Sequence, residues 1–186
     1  MKKLSLLLGV FLLFSVPAFA KKDAAWVVKK AKATEDKFNG TTSVAFPNIK
    51  YYTLGNDEIV KMTGKSKWGY IPPITYSIKE TTQKDGSKTY LLLAADDRSS
   101  WAFYESAKDN DGKEMKFIRP MGDVDSYSTG VKVTEYFNIV LPEEYIKQHK
   151  ETGAAFRVYG KKDQVTFHVP GWYFEGVLNY FENQEK

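Results

Sequence analysis

The sequence predicts a β-rich α+β fold: an antiparallel meander sheet or sandwich, with a short helix near 142–150 and a C-terminal helix near 171–182 packed on it. Three observations predict it. Ile74, Tyr76 and Ile78 share one face of an extended run while Thr75, Ser77 and Lys79 take the other, and Lys84-Asp85-Gly86-Ser87 then supplies a hairpin turn. Aromatic residues make up 15 % of the chain, and flat rings suit a pleated, half-buried surface. Near the end, Phe174, Val177, Leu178 and Phe181 recur at i, i+3, i+4 and i+7, the stripe of an amphipathic helix.

The chain starts with a cationic Met1-Lys2-Lys3, an apolar run from Leu4 to Val16, and Pro17-Ala18-Phe19-Ala20 ending in small residues. That layout predicts a secretory signal peptide over 1–20, cut after Ala20. The run is shorter than the roughly 20 apolar residues a spanning helix needs. From 21 onward one continuous domain is expected to 186, since no repeat, low-complexity tract or long Pro/Gly/Ser linker divides it. Asp23 caps a helical start with Ala24, Val27, Val28 and Ala31 on one face, and a short strand follows. Thr42 to Phe46 and Lys50 to Leu54 read as strands about Pro47-Asn48. Asn56-Asp57-Glu58 opens a helical turn that Gly64 ends.

Trp68 and Tyr70 alternate, and Pro72-Pro73 marks an edge or bulge. After the strand at 74–79 and its hairpin, Lys88 to Ala95 returns, Asp96-Asp97-Arg98 turns, Ser100 to Ser106 forms a third strand and Lys113 to Arg119 a fourth. Thr129 to Leu141 is the clearest single strand pattern. Pro142 with Glu143 and Glu144 opens the short helix, because proline suits a first helical position and acids suit the first turn. Ala155 to Tyr159 and Gln164 to Val169 make the last hairpin, and Pro170-Gly171 opens the final helix.

The domain carries no cysteine, which removes thiol catalysis and thiolate metal sites and shows that its fold does not lean on disulfides. A lipoprotein is not expected, since lipidation at the new N-terminus needs a cysteine. A chain of this size buries roughly 68–70 % of its unfolded surface, enough for a core without staples. The formal charge is +4, two of those charges belong to Lys2 and Lys3, and acids and bases are interspersed elsewhere. A nucleic-acid binder shows a basic stripe instead. The Lys-Lys start points to a bacterial export signal, so the expected location is periplasmic or secreted, with no membrane span after signal cleavage.

Several segments form a recognisable framework: Asp36-Lys37-Phe38-Asn39-Gly40-Thr41, Trp101-Ala102-Phe103-Tyr104 with Gly112 downstream, Glu135-Tyr136-Phe137-Asn138-Ile139, and Phe156 to Lys161 continuing to Val169-Pro170. On these the chain resembles a diffuse group of uncharacterised secreted and periplasmic bacterial proteins. The resemblance implies a single-domain exported protein and carries no activity and no catalytic residue with it.

Glu135 is the most chemically loaded residue. It shares its strand face with Val131, Val133, Phe137 and Ile139, and a carboxylate on an apolar face must be paired, hydrogen-bonded or neutral. It reads either as a general acid or base, or as a structural group bound to Arg157 or to backbone donors near a bulge. His168, on the last strand, is its candidate catalytic companion. His149 falls near a helix C-terminus, where a cation is favoured. Two histidines without HxH or HExxH spacing predict no metal and no cofactor. Asp109-Asn110-Asp111-Gly112 has a calcium-loop look, but the first and twelfth positions would be Ala107 and Ile118, so a β-turn is expected. Asp123-Val124-Asp125 places two carboxylates on one side of a strand or loop.

Trp68, Tyr70, Trp101, Tyr104, Trp172 and Tyr173 are candidate contact rings, and Trp172 and Tyr173 stand out because they fall off the helical stripe. With no GxSxG elbow, metal cluster or phosphate loop, the reading is a non-catalytic envelope or secreted binding module for a protein, glycan or small apolar ligand. The alternatives are a secreted hydrolase using Glu135 with His168 or an aspartate, and a structural surface or assembly subunit.

Overall fold

The computed structural model describes residues 22–51, 65–66, 69–70, 74–127 and 130–184. The segment expected to be a signal peptide, the turn expected at 56–64, Trp68 and Pro72-Pro73 lie outside those residues. In chain order the elements are α1 (Ala24–Lys30), β1 (Lys32–Asp36), β2 (Thr41–Ala45), β3 (Ile49–Tyr51), β4 (Lys65–Ser66), β5 (Gly69–Tyr70), β6 (Ile74–Thr82), β7 (Lys88–Arg98), β8 (Tyr104–Asp109), β9 (Glu114–Tyr127), β10 (Gly130–Leu141), α2 (Glu143–Gln148), β11 (Ala154–Gly160), β12 (Gln164–Val169) and α3 (Gly171–Glu182). The fold is α+β and β-rich: one large antiparallel sheet with α3 packed on it, and a separate two-stranded β4–β5 ribbon.

The path through the sheet is β1-β2-β6-β7-β10-β9-β8-β11-β12, with β3 also on β6. The expectation of a simple meander is therefore corrected at one point. Asp96-Asp97-Arg98 does not turn the chain but continues β7, pairing with Glu135, Thr134 and Val133. Residues 99–103 then cross the sheet end, so β8 starts at Tyr104 and is separated from β7 by two strands, β10 and β9. The order β7-β10-β9-β8 is a Greek key, in which β10, β9 and β8 are joined by hairpins and β7 closes beside β10. β9 runs to Tyr127, well beyond the expected Arg119, because the β9–β10 pairing continues past a register shift between Tyr136 and Asn138. Past Met115 its other edge has no strand partner among the described residues, and Pro120, which has no N–H, sits on that stretch.

Local chemistry accounts for the boundaries. Asp23 caps α1 by accepting from the Trp26 N–H at 2.8 Å. The 109–112 turn is a β-turn as expected: the Asp109 carboxylate accepts from the Asp111 and Lys113 N–H groups at 3.0 and 2.9 Å, and Gly112 takes φ +81°. α2 is shorter than 142–150, ending at Gln148 with His149 as its cap. There the His149 ring stacks on Tyr145 at 4.1 Å and its Nδ1 lies 2.8 Å from the Tyr145 carbonyl.

The two halves of the sheet share one core. Tyr76 on β6 meets Phe167 on β12 at 5.5 Å, its hydroxyl donates to the His168 carbonyl at 2.9 Å, and Phe137 links both halves. α3 closes the core with Phe174 and Val177 fully buried, while Leu178 and Phe181 are partly covered. Its Tyr173, off the apolar stripe, is fully buried too. β2 and β3 both pair with β6, but after the Phe46 N–H donates to the Ile78 carbonyl at 2.9 Å the chain between them leaves the ladder at Pro47–Asn48. The Tyr173 hydroxyl fills that gap: it accepts from the Ile78 N–H at 3.1 Å and donates to the Pro47 carbonyl at 2.8 Å. One side chain thus satisfies the buried Ile78 N–H and the part-buried Pro47 carbonyl.

Candidate functional site: an aromatic pair on a strained loop

The crossing loop 99–103 is where sequence pattern and structure part most. The sequence predicts a strand from Ser100 to Ser106; instead residues 99–103 are a loop in which Phe103 adopts φ +58°. A bulky residue in the left-handed region is a backbone outlier, costing on the order of 1–3 kcal/mol, and persists only where its surroundings over-determine it. Here the surroundings are Glu135. Its carboxylate takes the N–H groups of Ala102 and Phe103 on Oε1, and those of Phe103 and Tyr104 on Oε2 at 3.0 and 3.3 Å. Three successive amides that a strand would spend on a neighbour converge on one buried anion.

The loop is held from two further sides. The Lys161 and Lys162 N–H groups donate to the Phe103 and Ala102 carbonyls at 3.1 and 3.0 Å. Arg98 Nε donates to Asp96 Oδ2 at 2.7 Å, and its Nη1 to Asp163 at 2.9 Å, tying β7 to the β11–β12 turn. Tyr104 donates its hydroxyl to the same Asp96 oxygen at 2.5 Å. Burial pushes the Asp96 carboxyl above the usual carboxylate range, against the pull of Tyr104 and Arg98. Burial likewise raises the Tyr104 phenol, helped by the adjacent Asp96.

What this framework presents is an aromatic pair. Trp101 and Phe103 stack at 6.1 Å with 28° between their planes. Phe103 is 41 % exposed, and the Lys162 ammonium sits 5.2 Å from its centroid. Trp101 lies over Gly122 on β9, where a Cβ would run into the indole ring. The arrangement offers a rigid, flat apolar surface beside charge.

The structure places the candidate residues as follows. Tyr104 and Tyr173 are core residues, 1 % and 0 % exposed, not contact rings. Trp101 and Trp172 are half-buried. Trp172 meets Trp26 edge-on at 6.5 Å and lines a groove of ≈ 570 Å³ along α3. Glu135 is buried on the face shared with Val133, Phe137 and Ile139, whereas Val131 is 50 % exposed because the β9–β10 ribbon there outruns β7. Arg157 is not the partner of Glu135: alternation turns it outward, exposed, with its Nε on Thr166 at 3.1 Å. Asp123 and Asp125 sit on one face of β9, and Asp125 meets Lys132 at 3.5 Å.

Glu135 and His168 are not brought together. The amides that hold Glu135 adjoin the Gly160 end of β11, and His168 pairs with Ala155. Five strand residues separate those positions, roughly 16–17 Å. The His168 ring contacts the Thr152 backbone and Gly153, and burial lowers its pKa from the usual imidazole value. The carboxylate that does adjoin Glu135 is Asp96, its cross-strand partner. Alternation through Tyr90, Leu92 and Ala94 puts Asp96 on the apolar face of β7, the same signal that singled out Glu135. Phe103 carried no such signal, because its value depends on a conformation set from another strand. No protein-family model, curated protein or solved structure matches this chain.

Proposed function

We propose that this chain is an exported, non-catalytic binding module whose contact surface is the Trp101–Phe103 pair. The partner it suits is one with a flat apolar face: a sugar ring, an apolar side chain of a protein or a small apolar ligand. The observation that carries the reading is Phe103 itself. A residue held at φ +58° while its own N–H and those of its two neighbours donate to a buried carboxylate, with its ring left 41 % exposed, spends stability on presentation and not on the core. Strain of this kind clusters at ligand-contacting positions, and a preorganised ring loses little conformational entropy on binding. The cationic and apolar start of the chain and its resemblance to secreted bacterial proteins support the exported location.

The test compares the native-compartment protein with Trp101→Ala and Phe103→Ala variants, using mass spectrometry of co-purified molecules. A species enriched on the wild type and lost from both variants, with folding intact, supports the reading. Identical co-purifying profiles overturn it. Detection of Met1–Ala20 on the native molecule overturns the exported location.

A second reading has one observation in its favour. Val124 and Val131, which share one face of the β9–β10 ribbon at and beyond the end of β7, are 54 % and 50 % exposed, an apolar surface suited to self-association in an assembly subunit. Light scattering across a concentration series separates the two, since a monomeric binder shows constant mass.

A further inference from the structure

The groove beside Trp172 is chemically unlike the Trp101–Phe103 surface. It lies at the Ala154–Val169 end of the β11–β12 hairpin, away from the Gly160 turn that supports Phe103. Trp172, Glu175, Leu178 and Glu182 line it at steps of three to four residues, so one helical face forms its floor. Ten residues of helix span roughly 15 Å. Lys150 and Glu151, from the connection between α2 and β11, close the side, and the space enclosed is ≈ 570 Å³.

Glu151, Glu175 and Glu182 are exposed, and among the described residues none has an ion-pair partner. Lys150 alone opposes them along this lining. The last turn of α3 carries no basic residue, so its carbonyl end adds partial negative charge at Glu182. The chain as a whole is formally +4, so the negative field belongs to the groove and not to the molecule.

We infer that this groove docks a basic amphipathic peptide segment of a partner protein. Ammonium or guanidinium groups of the segment meet Glu175 and Glu182, and an apolar side chain lies between them on Leu178 and the Trp172 ring. A purely apolar occupant would desolvate carboxylates without pairing them. An acidic occupant would be repelled. A cation close to the indole face gains a further attraction. The site stands independently of the Trp101–Phe103 reading.

The experiment is calorimetric titration of the full chain with a capped Lys/Leu amphipathic peptide about 12 residues long, beside a Glu/Leu peptide of equal length. The Lys/Leu peptide is expected to bind, and the Glu/Leu peptide not to. Glu175→Lys with Glu182→Lys is expected to weaken binding about tenfold or more, as is raising salt to about 0.5 M. Both residues are exposed, and circular dichroism checks the fold. Glu35→Lys with Glu114→Lys makes the same charge change on β1 and β9 and should leave affinity unchanged. Absent binding, equal binding of the acidic peptide, or equal loss in the remote pair overturns the inference. Loss of the Lys/Leu peptide in Trp101→Ala would also overturn it, by moving the contact to the other surface.

Discussion

The Phe103 N–H is shared between both oxygens of Glu135, at 3.2 and 3.0 Å, and this bifurcated contact is what holds an exposed ring in a left-handed backbone. The carboxylate acts on the surface from beneath. It is 1 % exposed, and its work is to replace the ladder bonds that residues 102–104 give up when the chain crosses from β7 to β8.

Glu135→Gln is therefore expected to destabilise the fold by about 2–3 kcal/mol, read as a shift in urea midpoint. An amide offers one acceptor oxygen and no charge to three N–H groups. Equal stability of wild type and variant would show that the amides find other partners.

Phe103→Gly separates strain from contact. Glycine populates positive φ freely, so the variant should stay within about 1 kcal/mol of wild type in denaturation while losing any partner bound through the Trp101–Phe103 pair. A large loss of stability would mean that the ring is a packing residue.

Tyr173→Phe keeps the ring and removes the hydroxyl between Ile78 and Pro47. The Ile78 N–H is then buried without a partner, at a cost of about 1–3 kcal/mol. Hydrogen exchange at Ile78 should accelerate while α3 stays docked through Phe174 and Val177. Unchanged protection would sink the bridge.

Glu80 lies buried on β6 with Oε1 accepting from Thr82 at 2.5 Å and Oε2 without a hydrogen bond among the described residues. Burial raises its pKa from the ordinary 4.5, with Glu143 adding a smaller push and Thr82 and Lys88 opposing. The folded state thus holds its proton more tightly than the unfolded chain. Its contribution to stability is complete below the unfolded pKa and is lost as pH rises through the folded one. Glu80→Gln is expected to gain stability on wild type as pH rises from about 4 toward neutrality. A pH-independent difference between the two melting curves would refute this, and the pairwise comparison cancels the opposite trend of His168.

Gly176→Ala tests how closely α1 rests on α3. A Cβ there meets Val27 and the Ala24 carbonyl, so a loss of about 1–3 kcal/mol is expected, with Trp26 fluorescence shifted as α1 lifts.

Local signals carried most of the architecture. The α3 span, the β11–β12 hairpin, the Asp23 cap and the β-turn at 109–112 were legible because each depends on residues within a few positions of one another. The apolar face that made Glu135 conspicuous was legible for the same reason. Sequence alone could state that this carboxylate needed partners, since burial of a bare charge is prohibitive whatever the fold. Which partners was decided by topology. Arg157 was the charge nearest in sequence pattern, yet alternation sent it outward, and three amides from a loop more than thirty residues away took its place. The insertion of β10 between β7 and β9, the left-handed Phe103 and the ladder gap filled by Tyr173 are all non-local in this sense. Each is settled by backbone groups seeking hydrogen bonds across distant segments, and those groups are the same in every residue except proline, so side-chain pattern leaves little record of them.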